Sequence, residues 1–232
     1  MHLSGANEDV TMTDEIPTSE LCERYAALYP GAITDVLDDR GYRDQTLSAD
    51  IDPVTDEMTT AGIAYPCRGR PSRSVDEDDN IRKILRMLRD APEHAVVTYE
   101  TNAHDSAQIG ELSVECLIAN GCRGAVLDGG VRDLSLILQN DFPVFSEFRT
   151  PADAVPRWEL LDWDVPAVVG GVEVRPGDVV VGDIDGVVIV PEPVAVDVLR
   201  EAEELAATED IVRETVCAGG DPVEAYEEHG VF

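Results

Sequence analysis

Across residues 79–89 the apolar side chains Ile81, Ile84, Leu85 and Leu88 recur at i, i+3, i+4 and i+7, the spacing that lays one stripe along a helix. Acidic residues stand at its start and Arg86 and Arg89 near its end, as the helix dipole favours. Upstream, residues 19–28 and 31–40 read as two short helices broken at Pro30-Gly31. Residues 61–67 read as a strand, followed by an arginine-rich loop over 68–73. From Ala95 strand and helix alternate, with strands at 95–99, 125–127 and 144–148. The intervening helices are expected at 111–119, closed by Asn120-Gly121, and at 132–138. This rhythm predicts a partly parallel sheet with helices on its faces.

The pattern changes after Pro151. Short β-branched runs at 165–169, 172–174, 179–181 and 187–190 are separated by Gly, Pro and Asp turns and predict antiparallel strands. Asp183-Ile184-Asp185-Gly186 reads as a hairpin connection. A terminal helix after Pro193 carries Ala195, Val198, Leu199, Ala202, Leu205 and Ala206 on one stripe and continues to Gly219-Gly220. With no Ser/Gly-rich linker and no internal repeat, one α/β domain is expected over 18–218. A flexible acidic lead-in is expected at 1–17 and a tail at 219–232.

Composition narrows the function classes. The chain has 232 residues, 44% of them hydrophobic, enough for one substantial core. No apolar run approaches the roughly 20 residues needed to span a bilayer. The N-terminal segment lacks the basic and apolar regions of a secretory signal, so a cytoplasmic protein is expected. Acidic residues number 48 against 17 basic ones, a net charge of −31. Such a surface repels nucleic acid and anionic membranes. Because the acids are scattered rather than gathered in a tail, they fit a salt-filled cytoplasm, as in a halophilic organism, better than an acidic nucleic-acid mimic.

The basic set contains a single lysine, Lys83, on or near the solvent side of the 79–89 helix. A Schiff-base aldolase needs a desolvated lysine, so that chemistry is not expected. Five cysteines without a CxxC pair suggest no complete disulfide framework, and four histidines do not fall at zinc-ligand spacing. His104-Asp105-Ser106 holds triad residue types, but adjacent residues seldom form a triad.

Two segments couple charged side chains to a helix start. In Gly110-Glu111-Leu112-Ser113 the glycine permits an unusual backbone angle, and the following amides are unpaired donors that can hold an anion. Glu111 stands beside that anion site. In Asp128-Gly129-Gly130-Val131-Arg132-Asp133 a buried strand is expected to end at Asp128, two glycines to turn, and Arg132-Asp133 to open the next helix. Arg132 offers a forked donor for a carboxylate, and Asp133 is a hard oxygen ligand suited to Mg²⁺ or Mn²⁺. Taken singly, either segment is better explained by a structural role, with Asp133 complementing the helix dipole and Arg132 making a structural salt bridge.

Together the two segments, with Phe142-Pro143-Val144-Phe145 beyond them, resemble the RraA-like family, which includes 4-hydroxy-4-methyl-2-oxoglutarate aldolases and oxaloacetate decarboxylases. The resemblance runs from about Gly31 to Pro191. Further landmarks are Gly31-Ala-Ile-Thr-Asp35, the stretch from Gly170 to Asp178, and the stretch from Val180 to Pro191. It implies a layered α/β/β/α domain with mixed sheets, of swivelling-domain type, assembled as a homotrimer or hexamer with sites at subunit boundaries. It also implies that Asp133 contacts a divalent metal directly and Glu111 through water. Arg132 would bind a small oxo-acid, helped by the Leu112 and Ser113 amides, with Gly110 at the same place and Asp128 and Gly129 in support. The implied reaction is lysis of a carbon–carbon bond through a metal-stabilised pyruvate enolate, shared by retro-aldol cleavage and oxaloacetate decarboxylation.

Departures bear on the substrate. The family's aldolases use a basic side chain downstream of the Arg-Asp pair, for which Arg149 and Arg157 are candidates. They also use an acid from a neighbouring subunit, for which Glu203, Glu204 and Glu209 are candidates. The stretch from Phe148 to Trp158 differs from the small-residue loop the resemblance implies there. Some RraA-like proteins bind and inhibit a ribonuclease without catalysis, and this regulator reading is the alternative to a lyase.

Overall fold

The computed structural model describes residues 16–232. All of the expected lead-in except Ile16 and Pro17 therefore lies outside the described residues. The chain opens with α1 (Thr18–Ala26) and α2 (Pro30–Asp39), then β1 (Asp52–Pro53), β2 (Thr60–Pro71), α3 (Glu77–Asp90), β3 (Ala95–Glu100) and β4 (Ala107–Ile109). Next come α4 (Glu111–Ala119), β5 (Gly124–Val131), α5 (Leu134–Ile137), β6 (Val144–Arg149) and β7 (Trp158–Trp163). Four short strands follow, β8 (Ala167–Val169), β9 (Val172–Val174), β10 (Val179–Asp183) and β11 (Gly186–Val190). The chain ends with α6 (Ala195–Cys217) and α7 (Pro222–His229), the latter within the segment expected to be a tail.

A nine-stranded mixed sheet runs in the order β1-β6-β5-β3-β2-β10-β11, with β4 on β5 and β7 on β2. The pairs β2–β3, β3–β5, β4–β5 and β5–β6 are parallel, and β10 pairs antiparallel with both β2 and β11. Strand alternation sorts the side chains into layers. Val97, Tyr99, Ala125 and Leu127 face α3 and α4, where Met87, Leu88, Val114 and Leu117 are buried. Val179, Val181, Val188 and Val190 face Tyr25, Leu37, Val198 and Leu199 of α1, α2 and α6. Between them Val96, Val126, Phe145, Val180 and Ile189 pack together with Val169 and Val174. The result is the expected α/β/β/α layering.

β2 is the hinge of this arrangement. Ala61 belongs to the cluster under α6, whereas Tyr65 and Cys67, on the same strand face, belong to the cluster under α3 and α4. The sheet therefore folds over along β2 until it nearly closes. The strand also runs further than expected, because the arginine-rich stretch is not a loop. Arg68 and Arg70 are exposed while Gly69 is buried, a period-2 pattern that pairs with β7 from Cys67↔Trp163 to Pro71↔Trp158. Arg70 meets Glu159 at 3.0 Å on the outer face.

α6 is clasped onto its layer by two arginines. Arg24 bonds Glu203 and Arg40 bonds Glu201, each with a closest distance of 2.6 Å. Lys83 pairs with Asp79 at 3.1 Å on the surface of α3, and the five cysteines are free. No helix among the described residues is long and apolar enough to cross a membrane.

Candidate active site

The pairing of β4 with β5 unites the two charged segments. Ala107 is in register with Gly130 and Ile109 with Val131, and the Arg132 amide donates to the Ile109 carbonyl at 3.1 Å. The next residues on the two strands are Gly110-Glu111 and Arg132-Asp133, which therefore lie side by side at the carboxyl end of a parallel pair. That is where ligands gather in α/β sheets. On the other edge of β4, Asp153 forms an isolated parallel bridge with Ala107. Three chain segments thus converge on one place.

Gly110 adopts φ −140° and ψ −176°, extended backbone open to any residue, so the expected unusual angle is not its role. The need for glycine is steric. A Cβ there would lie 2.7 Å from Asp133 Oδ2 and 3.2 Å from Arg132 Cγ and Nε. Asp133 itself carries the strain, at φ 59° and ψ 31° in the left-handed region, as N-cap of the four-residue α5. Gly129 and Gly130 do not form the expected turn before it, since β5 runs through them. Cβ atoms at these positions would come within 2.6 Å of Gln108 and of Phe148 respectively, so close packing selects glycine in the strand.

Arg132 is held between two carboxylates, with Nε 3.3 Å from Asp133 and Nη1 3.3 Å from Asp153. Asp153 is fixed in turn by the Val155 amide at 3.2 Å and, through its carbonyl, by Arg157 at 2.9 Å. At the start of α4 the Ser113 amide already donates to the Gly110 carbonyl at 3.1 Å, leaving the Glu111 and Leu112 amides as the open donors of the first turn.

These groups line one cavity of about 600 Å³, which continues between α3 and α4. Among the described residues its charged end holds Glu111, Glu115, Asp133 and Asp153 against a single guanidinium, Arg132. Asp153 was not among the residues singled out from the sequence. It sits in the irregular stretch between β6 and β7, and its only local signal is an Asx-type turn after Pro151. Arg149 donates to the Val54 carbonyl at 2.8 Å and lines a shallow neighbouring cleft with Arg132 and Asp133. Arg157 lines a separate cleft with Arg73 and Asp105. Glu203, Glu204 and Glu209 lie on α6 in the opposite helical layer, and none of them lines this cavity.

Asp128 lies elsewhere. It follows Leu127 in the register Tyr99↔Leu127↔Ser146, which brings it near Glu100 and Glu147 on the neighbouring parallel strands, just before an irregularity in the β5–β6 pairing. Burial pushes the Asp128 carboxyl up to about 6, against hydrogen bonds from Thr101 that lower it. A carboxyl raised on folding adds stability at pH values below its unfolded pKa. That contribution disappears as pH climbs through the folded pKa, here between about 4 and 6. Asp128→Asn keeps an acceptor for the Thr101 amide, 2.5 Å away, and removes the buried charge. The variant is expected to gain about 1–2 kcal/mol over the wild type at pH 8 and nothing at pH 4. Urea midpoints at the two pH values check this, and an equal shift at both would rule out the titration.

The signature of the family described as RraA-like, Aldolase/RraA, matches residues 18–189. Protein DlpA of Legionella pneumophila is 24% identical over 96% of this chain, which spans only 35% of that protein's length. A protein of Halalkalibacterium halodurans, provisionally named 4-hydroxy-4-methyl-2-oxoglutarate aldolase, is 28% identical over 67% of this chain and 75% of its own length. Among solved structures, one described as novel cellulases from gut-associated microbes is 30% identical, with a TM-score of 0.81 over 86% of this chain and 90% of that one. Streptomyces coelicolor RraAS2, described as an unusual member of an RNase ES inhibitor family, is 24% identical. Its TM-score is 0.75 over 86% of this chain and 98% of its own, a likeness of fold.

Proposed function

The chain belongs to the RraA-like Aldolase/RraA family, and we propose that it is a divalent-metal-dependent lyase cleaving a carbon–carbon bond of a small 2-oxo acid. The observation that carries this reading is the convergence of Glu111, Arg132 and Asp133, from two separate motifs, on one cavity beside an open helix N-terminus. A purely regulatory surface has no use for such an arrangement.

The donor set fits Mg²⁺ or Mn²⁺. Four carboxylates against one guanidinium leave the charged end strongly negative. Among the described residues, no three His, Cys, Asp or Glu side chains gather closely enough to hold a metal alone. Mg²⁺ commonly binds through one or two carboxylates and keeps several waters. Asp133 would hold the ion directly and Glu111 through water, and the bound ion would act as a Lewis acid toward the 2-oxo and carboxylate oxygens of the substrate.

Arg132 binds the substrate carboxylate. Its Nε and Nη1 lie 3.3 Å from Asp133 and Asp153, ion pairs that restrain the guanidinium at the charged end of the cavity. The Glu111 and Leu112 amides add fixed donors from the helix start. As the bond breaks, the electron pair left on the pyruvate carbon delocalises onto the 2-oxo oxygen, where the preorganised positive charge of Arg132 stabilises it. Exposed Leu112 near the cavity, with Leu136 on α5 and Leu138 just after it, supports assembly as a homotrimer or hexamer.

The test is pyruvate release from oxaloacetate and from 4-hydroxy-4-methyl-2-oxoglutarate in high KCl. It is run with Mg²⁺, with Mn²⁺ and after chelation, subtracting decarboxylation by free metal. Turnover is expected with either ion and is abolished by chelation. A folded protein with no turnover above background on either acid, nor on any 4-hydroxy-2-oxo monoacid, would sink the lyase reading.

A further inference from the structure

The cavity has two chemically different ends. Beyond the charged end its walls are Ile81, Ile84, Leu85 and Leu88 of α3 facing Cys116 and Ala119 of α4. Leu85 is 52% exposed although it points into this groove, so an apolar surface stands open in direct continuity with the site. The whole cavity, at about 600 Å³, is far larger than a three-carbon pyruvate unit requires. Whatever is attached to that unit must lie along the apolar walls if it occupies the groove.

Charge bears on what the attachment can be. Among the described residues the one cation lining the cavity is Arg132, already paired with two carboxylates and, in the lyase reading, with the substrate's own. A second substrate carboxylate entering the groove would find no cation there. It would also pass Glu111 and Glu115, paying both repulsion and desolvation. Glu115 is held by Asn140 at 2.7 Å, which gives it a fixed position near that path. Arg149 offers the other available guanidinium, but in the shallow cleft adjoining Arg132 and Asp133 rather than in the groove.

We infer that the native substrate has a single carboxylate and an apolar tail, a 4-hydroxy-2-oxo monoacid rather than a 2-oxo diacid, with the tail seated between α3 and α4. This deepens the lyase reading and rests on it. Cleavage breaks the C3–C4 bond. The C4 hydroxyl proton is given up, C4 leaves as an aldehyde or ketone bearing the tail, and C3 takes a proton to complete pyruvate. No oxidant or reductant is needed.

The experiment compares kcat/KM for pyruvate release from 4-hydroxy-2-oxopentanoate, 4-hydroxy-2-oxohexanoate, 4-hydroxy-2-oxooctanoate, 4-hydroxy-4-methyl-2-oxoglutarate and oxaloacetate. In the wild type kcat/KM is expected to rise about fourfold per added methylene, and the monoacids to exceed the diacid. Cys116→Trp, at an exposed position of α4, fills the groove and is expected to erase the chain-length dependence. Leu85→Lys places a cation there and is expected to shift the monoacid-to-diacid ratio toward the diacid at least tenfold.

Three results would overturn the inference while leaving the lyase standing. One is a flat response to chain length. Another is a diacid preference lost in Arg149→Met, which puts the tail in the Arg149 cleft. The third is a Cys116→Trp protein with altered oligomer size and unaltered selectivity, which makes the groove a contact between copies of the chain. Absence of pyruvate release from every acid, oxaloacetate included, removes the lyase reading and this inference with it.

Discussion

Replacing Asp133 by alanine is expected to cut metal-dependent pyruvate release about 100-fold or more while costing the fold little. The carboxylate is 43% exposed and fills no core volume, so its loss opens no cavity. Its contribution is to bring a hard oxygen to the charged end of the cavity and to hold Arg132 Nε at 3.3 Å. The left-handed backbone at this position separates function from stability. Alanine in that conformation costs roughly 1–2 kcal/mol, asparagine less, and glycine relieves the strain. Melting temperatures should therefore rank glycine highest and alanine lowest, while all three variants lose activity.

Asparagine is the informative member of this series, because it keeps the shape and can still accept from Arg132 without the negative charge. Calorimetric titration with Mn²⁺ should show weakened binding for all three variants. An Asp133→Asn protein keeping more than about a tenth of wild-type turnover would limit Asp133 to positioning Arg132.

The strongly periodic elements were legible in the sequence because their signal is local. The stripe of α3, the boundaries of α4, the valine runs of β9, β10 and β11 and the stripe of α6 each follow from spacing alone. The strands that went unseen have no such signal. β4 is three residues long after an irregular stretch, and β7 reads Trp-Glu-Leu-Leu-Asp-Trp, with one exposed leucine among its hydrophobic residues. These two, like the two-residue β1 on β6, are strands because of partners distant in sequence.

The same distinction divides the site. Glu111, Arg132 and Asp133 announced themselves as charges at helix starts. The reason they meet is the β4–β5 register, and Asp153 joins them only through its bridge to Ala107. Neither fact leaves a pattern along the chain. At Gly110 a glycine demanded by a neighbour's carboxylate looks in sequence like one demanded by its own dihedral angle.

Among the described glycines, Gly69→Ala is expected to be the most damaging methyl addition. Its Cβ would lie inside the ring of Trp158, against Cζ2 and Cε2, and 2.6 Å from the Glu159 carbonyl. The ring cannot yield, because Trp158 is 1% exposed and its indole N–H donates to the Thr101 carbonyl at 2.8 Å. Asn80 fixes the same strand, donating to the Trp158 carbonyl at 2.7 Å and accepting from the Leu160 amide at 3.0 Å. Overpacking a core costs about 1–3 kcal/mol where neighbours can adjust, and this site sits at or above the upper end. For a chain of this size that corresponds to a fall in Tm of roughly 10 °C. Trp158 also follows directly on the stretch that carries Asp153, so any shift of the ring loosens the clamp on Arg132. Thermal melts of Gly69→Ala, Trp158→Leu and the double variant measure the coupling. A favourable interaction of at least 1 kcal/mol is expected, because the smaller side chain makes room for the methyl group. Additive losses would show that the damage comes from the backbone of β2 and not from the ring above it.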